Sequence, residues 1–208
     1  QTSGLKLAEA ATLLRLNDRE GVGAALQEAL ALADADEELQ TTSSAMGLYS
    51  LLDDETNALA LASELPGLAE TTAGKAAAHG MSAAVFSQFS RYDEALVQSR
   101  AARALDDTHD RRMALTSALA DAGEIDEGLD LLRTEALARP NDPYMLNTLG
   151  YYLVLHTDRL DEAFKVLARA EPALGDRVTS WRHLLESGAR RGRKGSVGFC
   201  AAGVPARG

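Results

Sequence analysis

The chain has 208 residues, of which 46% are hydrophobic, 25% are charged and 5% are aromatic, and its formal net charge is −10. An acidic chain repels phosphate backbones, so this charge disfavours nucleic acid as a partner. The single cysteine, Cys200, excludes an intrachain disulfide and a Cys-based zinc site. No apolar run approaches the roughly 18 residues of a membrane-spanning helix, and the lack of β-branched runs argues against a sheet.

A six-residue pattern returns along the sequence at a nearly constant period. Its clearest copies are 91–96 (RYDEAL), 124–129 (EIDEGL) and 159–164 (RLDEAF), with looser copies at 18–22 and 54–59. The small residues of the pattern are Val22, Ala58, Ala95, Gly128 and Ala163, which lie 36, 37, 33 and 35 positions apart. A period in this range is typical of stacked supersecondary units. Because alanine, leucine and glutamate are good helix formers, each unit is predicted to be a pair of antiparallel helices.

The period divides the chain into successive predicted units. They are 3–36, 37–70, 76–108, 110–141 and 143–175, and they are followed by a terminal helix at 176–187 that would cover the last pair. The sequence Pro66-Gly67 is expected to end the second helix of the second unit. Residues 188–208 carry five basic residues and no acid, so residues 1–189 hold a charge of −15. This basic Gly/Arg tail lacks apolar periodicity and is predicted to be disordered.

The unit at 110–141 shows how the helices are predicted. An apolar stripe that includes Leu119 gives way to a turn at Gly123. A second stripe begins at Ile125, continues through Leu132 and extends to Leu137. Pro140 ends this pair and is followed by Asn141-Asp142-Pro143, which is a strong turn signal.

The next unit repeats the same plan. Asp142 is suited to cap a helix that has Pro143 at its first position. The apolar residues predicted for the first and second helices of this unit are Leu146, Leu149, Leu153 and Val154, and Ala163, Phe164, Leu167 and Ala170.

These residues resemble the tetratricopeptide repeat (TPR) family, whose 34-residue motif combines Leu-Gly, aromatic and alanine positions with a closing proline. The matching residues of the fifth unit are Leu146, Leu149, Gly150, Leu153, Leu160, Ala163, Leu167 and Ala170. The resemblance covers about residues 3–187 and is strongest from 76 to 174. Gly128 departs from the motif because it takes an alanine position. The resemblance implies an all-α, right-handed α–α superhelix of about five helix pairs, with a concave groove that binds peptides.

The family register places candidate groove residues on the first helix of each pair. They are Gln40, Ser43, Ser44, Gly47, Ala77, Gly80, Met81, Ala84, Asp110, Met113, Ala114, Ser117, Tyr144, Asn147, Thr148 and Tyr151. None is Lys or Arg, which argues against a clamp for a peptide carboxylate. The predicted peptide-binding residues are Ser43, Met81, Met113, Ser117, Tyr144, Asn147 and Tyr151: the amide suits a peptide backbone, and the aromatic and thioether groups suit its side chains. The alternative is that the tyrosines and methionines pack between adjacent helices.

The sequence therefore favours a non-catalytic scaffold for a protein or peptide partner, with a basic partner left open by the acidic body. The alternative is a structural spacer in a larger bacterial assembly, such as one of the cell envelope. The four histidines stand far apart without metal-ligand spacing, so no metal site, cofactor or catalytic constellation is expected. The compartment stays open between cytoplasm and periplasm, because the chain begins at Gln1 and any targeting segment would precede it. The oligomeric state is not predicted.

Overall fold

The computed structural model describes residues 2–175. These residues form ten helices and no strand, which confirms the all-α prediction. The predicted terminal helix at 176–187 and the basic tail at 188–208 lie outside the described residues. Among the described residues, no helix is long and apolar enough to cross a membrane.

The helices follow one another with short connections. In chain order they are α1 (Ser3–Arg15), α2 (Arg19–Leu32), α3 (Glu38–Leu51), α4 (Glu55–Leu68), α5 (Thr72–Gln88), α6 (Tyr92–Leu105), α7 (His109–Asp121), α8 (Ile125–Ala138), α9 (Pro143–His156) and α10 (Leu160–Leu174). The chain divides into two compact units, and the boundary falls within α7 between Ala118 and Leu119.

Within the first unit, a repeated turn joins the two helices of each pair. Asn17, Asp53 and Ser90 each adopt a positive φ, at 61°, 54° and 59°, a conformation that reverses the chain in a single residue. The side chains of Asp18 and Asp54 then accept hydrogen bonds from the amides of the next helix, at 3.0 and 3.2 Å. These carboxylates satisfy amides that a helix start leaves unpaired, so local sequence fixes both ends of the turn.

Small residues form the centre of the first unit. Val22, Ala58 and Ala95, which occupy equivalent places in the repeated pattern, are fully or almost fully buried. Helices α1, α3 and α5 each pack against the second helix of their own pair, and α3 also contacts both α1 and α5. Alanine at these positions lets helix axes approach to roughly 8–10 Å.

In the second unit, α9 packs against both α8 and α10. Asp142 caps α9 by accepting from the amides of Tyr144 and Met145, at 2.9 and 3.2 Å, and Pro143 stands in its first turn, as predicted. Helices α8 and α10 are joined by Arg133, whose guanidinium donates to both carboxylate oxygens of Glu162 at 2.7 and 2.8 Å.

Three details of the sequence-based prediction are wrong. Helix α4 continues to Leu68 with Pro66 in its last turn, where a missing amide affects only the end of the helix. Leu137 is 81% exposed and Phe164 is 42% exposed, although both were assigned to apolar stripes. The buried positions of α10 are Ala163, Leu167 and Ala170, and a residue one place away points about 100° round the helix.

Candidate functional site

The predicted binding residues of α3 and α5 lie side by side in the first unit. The hydroxyl of Ser43 donates to the sulfur of Met81 at 3.4 Å, and Met81 remains partly exposed. The contact brings two residues that are far apart in sequence onto one surface. This surface, called the α3–α5 face, consists of Gln40, Ser43, Ser44, Gly47, Ala77, Gly80, Met81 and Ala84.

The α3–α5 face is uncharged, and its side chains are small apart from Gln40 and Met81. Ala77 and Ala84 are exposed, and apart from its chain neighbours and the backbone of its own helix, no atom lies within 4 Å of the place that a Cβ at Gly47 would occupy. Backbone is therefore accessible along α3. A surface of this kind allows close approach by another chain but supplies few directional groups of its own.

A positive charge borders this face that the family register did not predict. The guanidinium of Arg111, at the start of α7, donates to the carbonyl of Ala76 at 2.8 Å and to Asp106 at 3.1 Å. A Cβ at Gly80 would lie 3.7 Å from the same guanidinium. On α7 the family register predicts groove residues at Asp110 and Met113 but not at Arg111. The positive charge beside the face was therefore not predicted from the sequence. The sequence feature that could have indicated a role for Arg111 is the acidic residue Asp106, five positions before it.

Met113 and Ser117, the predicted binding residues of α7, are less available. Both are half-buried. The hydroxyl of Ser117 donates to the carbonyl of Met113 within the same helix, at 3.4 Å. That bond is a common alternative for serine inside a helix. The hydroxyl is therefore already engaged by its own backbone.

The predicted residues of the second unit share one side of α9. Tyr144, Asn147 and Tyr151 are spaced three and four residues apart, which places them on one helix face. This surface, with Thr148, is called the α9 face. Tyr144 is 63% exposed, so its ring is not packed between helices. Tyr151 is half-buried, and burial raises the pKa of its hydroxyl.

Asn147 is the most distinctive group of the α9 face. Its side-chain oxygen is buried and has no hydrogen-bond partner among the described residues. A buried acceptor without a donor costs about 1–3 kcal/mol. Thr148, its neighbour, instead donates its hydroxyl to the carbonyl of Tyr144 at 2.9 Å. The amide oxygen of Asn147 thus stands on the same helix face as two aromatic rings with its hydrogen-bonding capacity unused.

The structure thus brings the predicted residues together in local groups: Ser43 with Met81, Met113 with Ser117, and Asn147 with its two tyrosines. Within residues 2–175, no group of three or more histidine, cysteine or acidic side chains is arranged to hold a metal ion.

The fold is that of the TPR solenoid proteins. YrrB, described as a TPR protein with an unusual peptide-binding site, superposes with a TM-score of 0.60 at 17% sequence identity, covering 86% of this chain and 91% of its own. A double mutant of MamA RS-1 gives a TM-score of 0.62 at 15% identity, covering 86% of this chain and 96% of its own.

A third solved structure supports the same fold. TTC0263, a thermophilic TPR protein of Thermus thermophilus, gives a TM-score of 0.53 at 17% identity, covering 89% of this chain and all of its own. No protein-family model matches the sequence. No curated protein is similar enough in sequence to count as a relative. The prediction of a TPR-like fold is confirmed by these structures.

Proposed function

We propose that this chain is a non-catalytic scaffold that binds a peptide or protein segment on the exposed faces of the first helices of its pairs. The observation that carries the proposal is the buried, unpaired amide oxygen of Asn147, which shares a helix face with Tyr144 and Tyr151. Because the oxygen is buried as it stands, a peptide N–H would satisfy it once the Asn147 side chain turns toward the surface, and the two rings would pack on the side chains that flank the peptide N–H. YrrB, which is described as a TPR protein with an unusual peptide-binding site, is a precedent for peptide binding by this fold.

The α3–α5 face supports the same proposal independently. Gly47 leaves open space on α3, the exposed alanines allow close approach, and Met81 supplies a flexible apolar side chain that adapts to different partners. Because the face is uncharged, specificity there would come from shape and apolar contact. The net charge of −10 would add long-range attraction for a basic segment, a contribution that salt screens.

Selection from a random peptide library displayed on phage tests the proposal without knowledge of the partner. Peptides that the wild-type chain selects are expected to lose affinity for the triple variant Tyr144→Ala/Asn147→Ala/Tyr151→Ala. Anchors of this kind contribute about 1 kcal/mol or more each, so the loss of all three is expected to weaken binding by about a hundredfold or more. Leu137→Ala is the matched control, because Leu137 is 81% exposed on α8 and lies outside the α9 face.

The alternative function, a structural spacer within a larger assembly, predicts the opposite pattern. Leu137 of α8 and Val97 of α6 are exposed apolar residues on second helices, and a spacer would use such surfaces. If selected ligands bind the folded triple variant as tightly as wild type but lose affinity for Leu137→Ala or Val97→Ala, the α9-face proposal is rejected in favour of the spacer.

A further inference from the structure

Tyr144 and Tyr151 lie almost in line along α9. They are seven residues apart, which is nearly two full turns, so their Cα atoms are separated by about 10.5 Å along the helix axis. Tyr144 is 63% exposed, and Tyr151 is half-buried. The α9 face therefore presents two aromatic groups at a defined spacing, and that spacing restricts which peptide conformations can place a side chain on each ring.

The three regular peptide conformations repeat their side chains at different distances. On one side of a β-strand, side chains recur every two residues, at about 6.6 and 13 Å. In a polyproline II helix they recur every three residues, at about 9.3 Å, and in an α-helix they return after seven residues, at about 10.5 Å. A strand therefore misses the ring spacing by about 2.5 Å or more, whereas polyproline II misses it by only about 1 Å.

Asn147, which lies between the two rings, distinguishes the two conformations that remain. Its side-chain oxygen is buried without a partner among the described residues, and a carboxamide offers both an acceptor and donors. In an α-helical ligand the backbone groups are bonded to one another, so the amide finds few partners. A polyproline II segment has no internal hydrogen bonds, so its backbone groups are available once the Asn147 side chain turns toward the surface.

The size and chemistry of the α9 face also favour a proline-rich ligand. The face consists of four uncharged residues, and a surface this small compensates little loss of conformational freedom in its ligand. Proline fixes its own φ near −65° before binding. A proline-rich segment therefore loses less entropy on the α9 face than a flexible peptide does.

Building on the peptide-binding function proposed above, we propose that the α9 face binds a proline-rich segment in the polyproline II conformation. Two prolines three residues apart pack on Tyr144 and Tyr151, and Asn147 pairs with the ligand backbone between them. Grooves lined by aromatic side chains recognise Pro-x-x-Pro segments in this way. The inference adds a class of ligand to the proposed function, on which it rests.

Nuclear magnetic resonance titration of the full chain tests the spacing, because the method detects weak binding. The probes are three synthetic peptides of one composition, in which two prolines stand two, three or four residues apart and the other residues are alanine and glutamine. The readout is the shift of the Tyr144 and Tyr151 ring resonances. The Pro-x-x-Pro peptide is expected to bind about fivefold more tightly than the other two, which place a proline on only one ring. Equal affinity for the three peptides, or binding of none, overturns the inference.

Two substitutions of Tyr144 separate the ring contact from other effects. Tyr144→Ala is expected to stay folded, since the side chain is largely in solvent, and to bind the three peptides equally, because one ring is left. Tyr144→Phe retains a ring and should keep the preference for Pro-x-x-Pro. Leu137→Ala, on α8, is the control that should behave like wild type. A preference that survives in Tyr144→Ala overturns the inference.

The peptides selected from the random library separate failure of this inference from failure of the proposed function. Pro-x-x-Pro is expected to be enriched among the peptides whose binding depends on the α9 face. Peptides that depend on the α9 face but lack this motif, such as amphipathic helical peptides, overturn the inference and leave the proposed function in place. If no selected peptide depends on the α9 face, both are overturned.

Discussion

Gly128 of α8 lies directly beneath the phenol of Tyr152 of α9. A Cβ at Gly128 would overlap the Tyr152 hydroxyl and lie 2.9 Å from Cζ. The hydroxyl passes over the glycine and donates to the carbonyl of Ile125 at 3.3 Å. The glycine at an alanine position of the repeat therefore makes room for a tyrosine of the next helix.

We expect Gly128→Ala to destabilise the protein. Overpacking a close contact costs about 1–3 kcal/mol, more than the helix propensity gained from alanine. Thermal or urea unfolding measures the difference. Tyr152→Phe removes the nearest atom but leaves Cζ in place, so in the double variant the cost of Gly128→Ala should be smaller.

Gly47→Ala is the matched control for that substitution. Gly47 lies inside α3, and apart from its chain neighbours and the backbone of its own helix, its Cβ would meet no atom within 4 Å. Replacing a helical glycine by alanine without a clash stabilises by about 0.5–1 kcal/mol. The same substitution is therefore expected to lower the free energy of unfolding at Gly128 and to raise it at Gly47. Destabilisation by Gly47→Ala would contradict the interpretation that space decides the sign.

We also expect the buried phenol of Tyr152 to make the protein less stable at alkaline pH. Burial, with smaller effects from Asp126 and Asp121, raises the pKa of Tyr152 well above its ordinary value of 10.0. Because the folded state favours the neutral phenol, the contribution of Tyr152 to the free energy of unfolding is complete below pH 10 and is lost as pH rises above it. Urea unfolding at increasing pH should show a steeper decline for wild type than for Tyr152→Phe. Equal slopes would show that Tyr152 is not responsible.

The repeat pattern was enough to predict the fold but not every contact between repeats. The small positions Val22, Ala58 and Ala95 were visible because close helix crossings exclude larger residues, and each of the three is buried. The role of Gly128 was not visible, because it depends on a tyrosine 24 positions further along the chain. Contacts of this kind come from tertiary packing, which periodicity does not encode.

The candidate site, like the fold, could be predicted from the sequence only in part. The family register placed Tyr144, Asn147 and Tyr151 on one helix face because the period of a helix is fixed. It gave no sign that the Asn147 oxygen is buried without a donor, which depends on the side chains around it. Arg111 was missed because its approach to Ala76 joins two helices 35 positions apart.

The pair of Arg133 and Glu162 joins α8 to α10 and should contribute modestly to stability. Three hydrogen bonds give the pair good geometry, but both side chains are about one-third exposed. A double-mutant cycle with Arg133→Ala and Glu162→Ala is expected to give a coupling of about 1 kcal/mol or less. The coupling should shrink at high salt. A salt-independent coupling would point to packing of the arginine stem instead.

Asn147→Leu is expected to separate folding stability from binding. The substitution removes a buried acceptor that has no partner, so the free energy of unfolding should rise by about 1 kcal/mol. Under the proposed function, the same change removes the group that would accept a peptide N–H, and affinity for selected peptides should fall. Ser82→Ala is the control, because Ser82 is fully buried in α5 and its hydroxyl is also unpaired. It should raise stability to a similar extent and leave peptide affinity unchanged. If Asn147→Leu destabilises the chain, its amide oxygen has a partner in solution and is not available to a ligand.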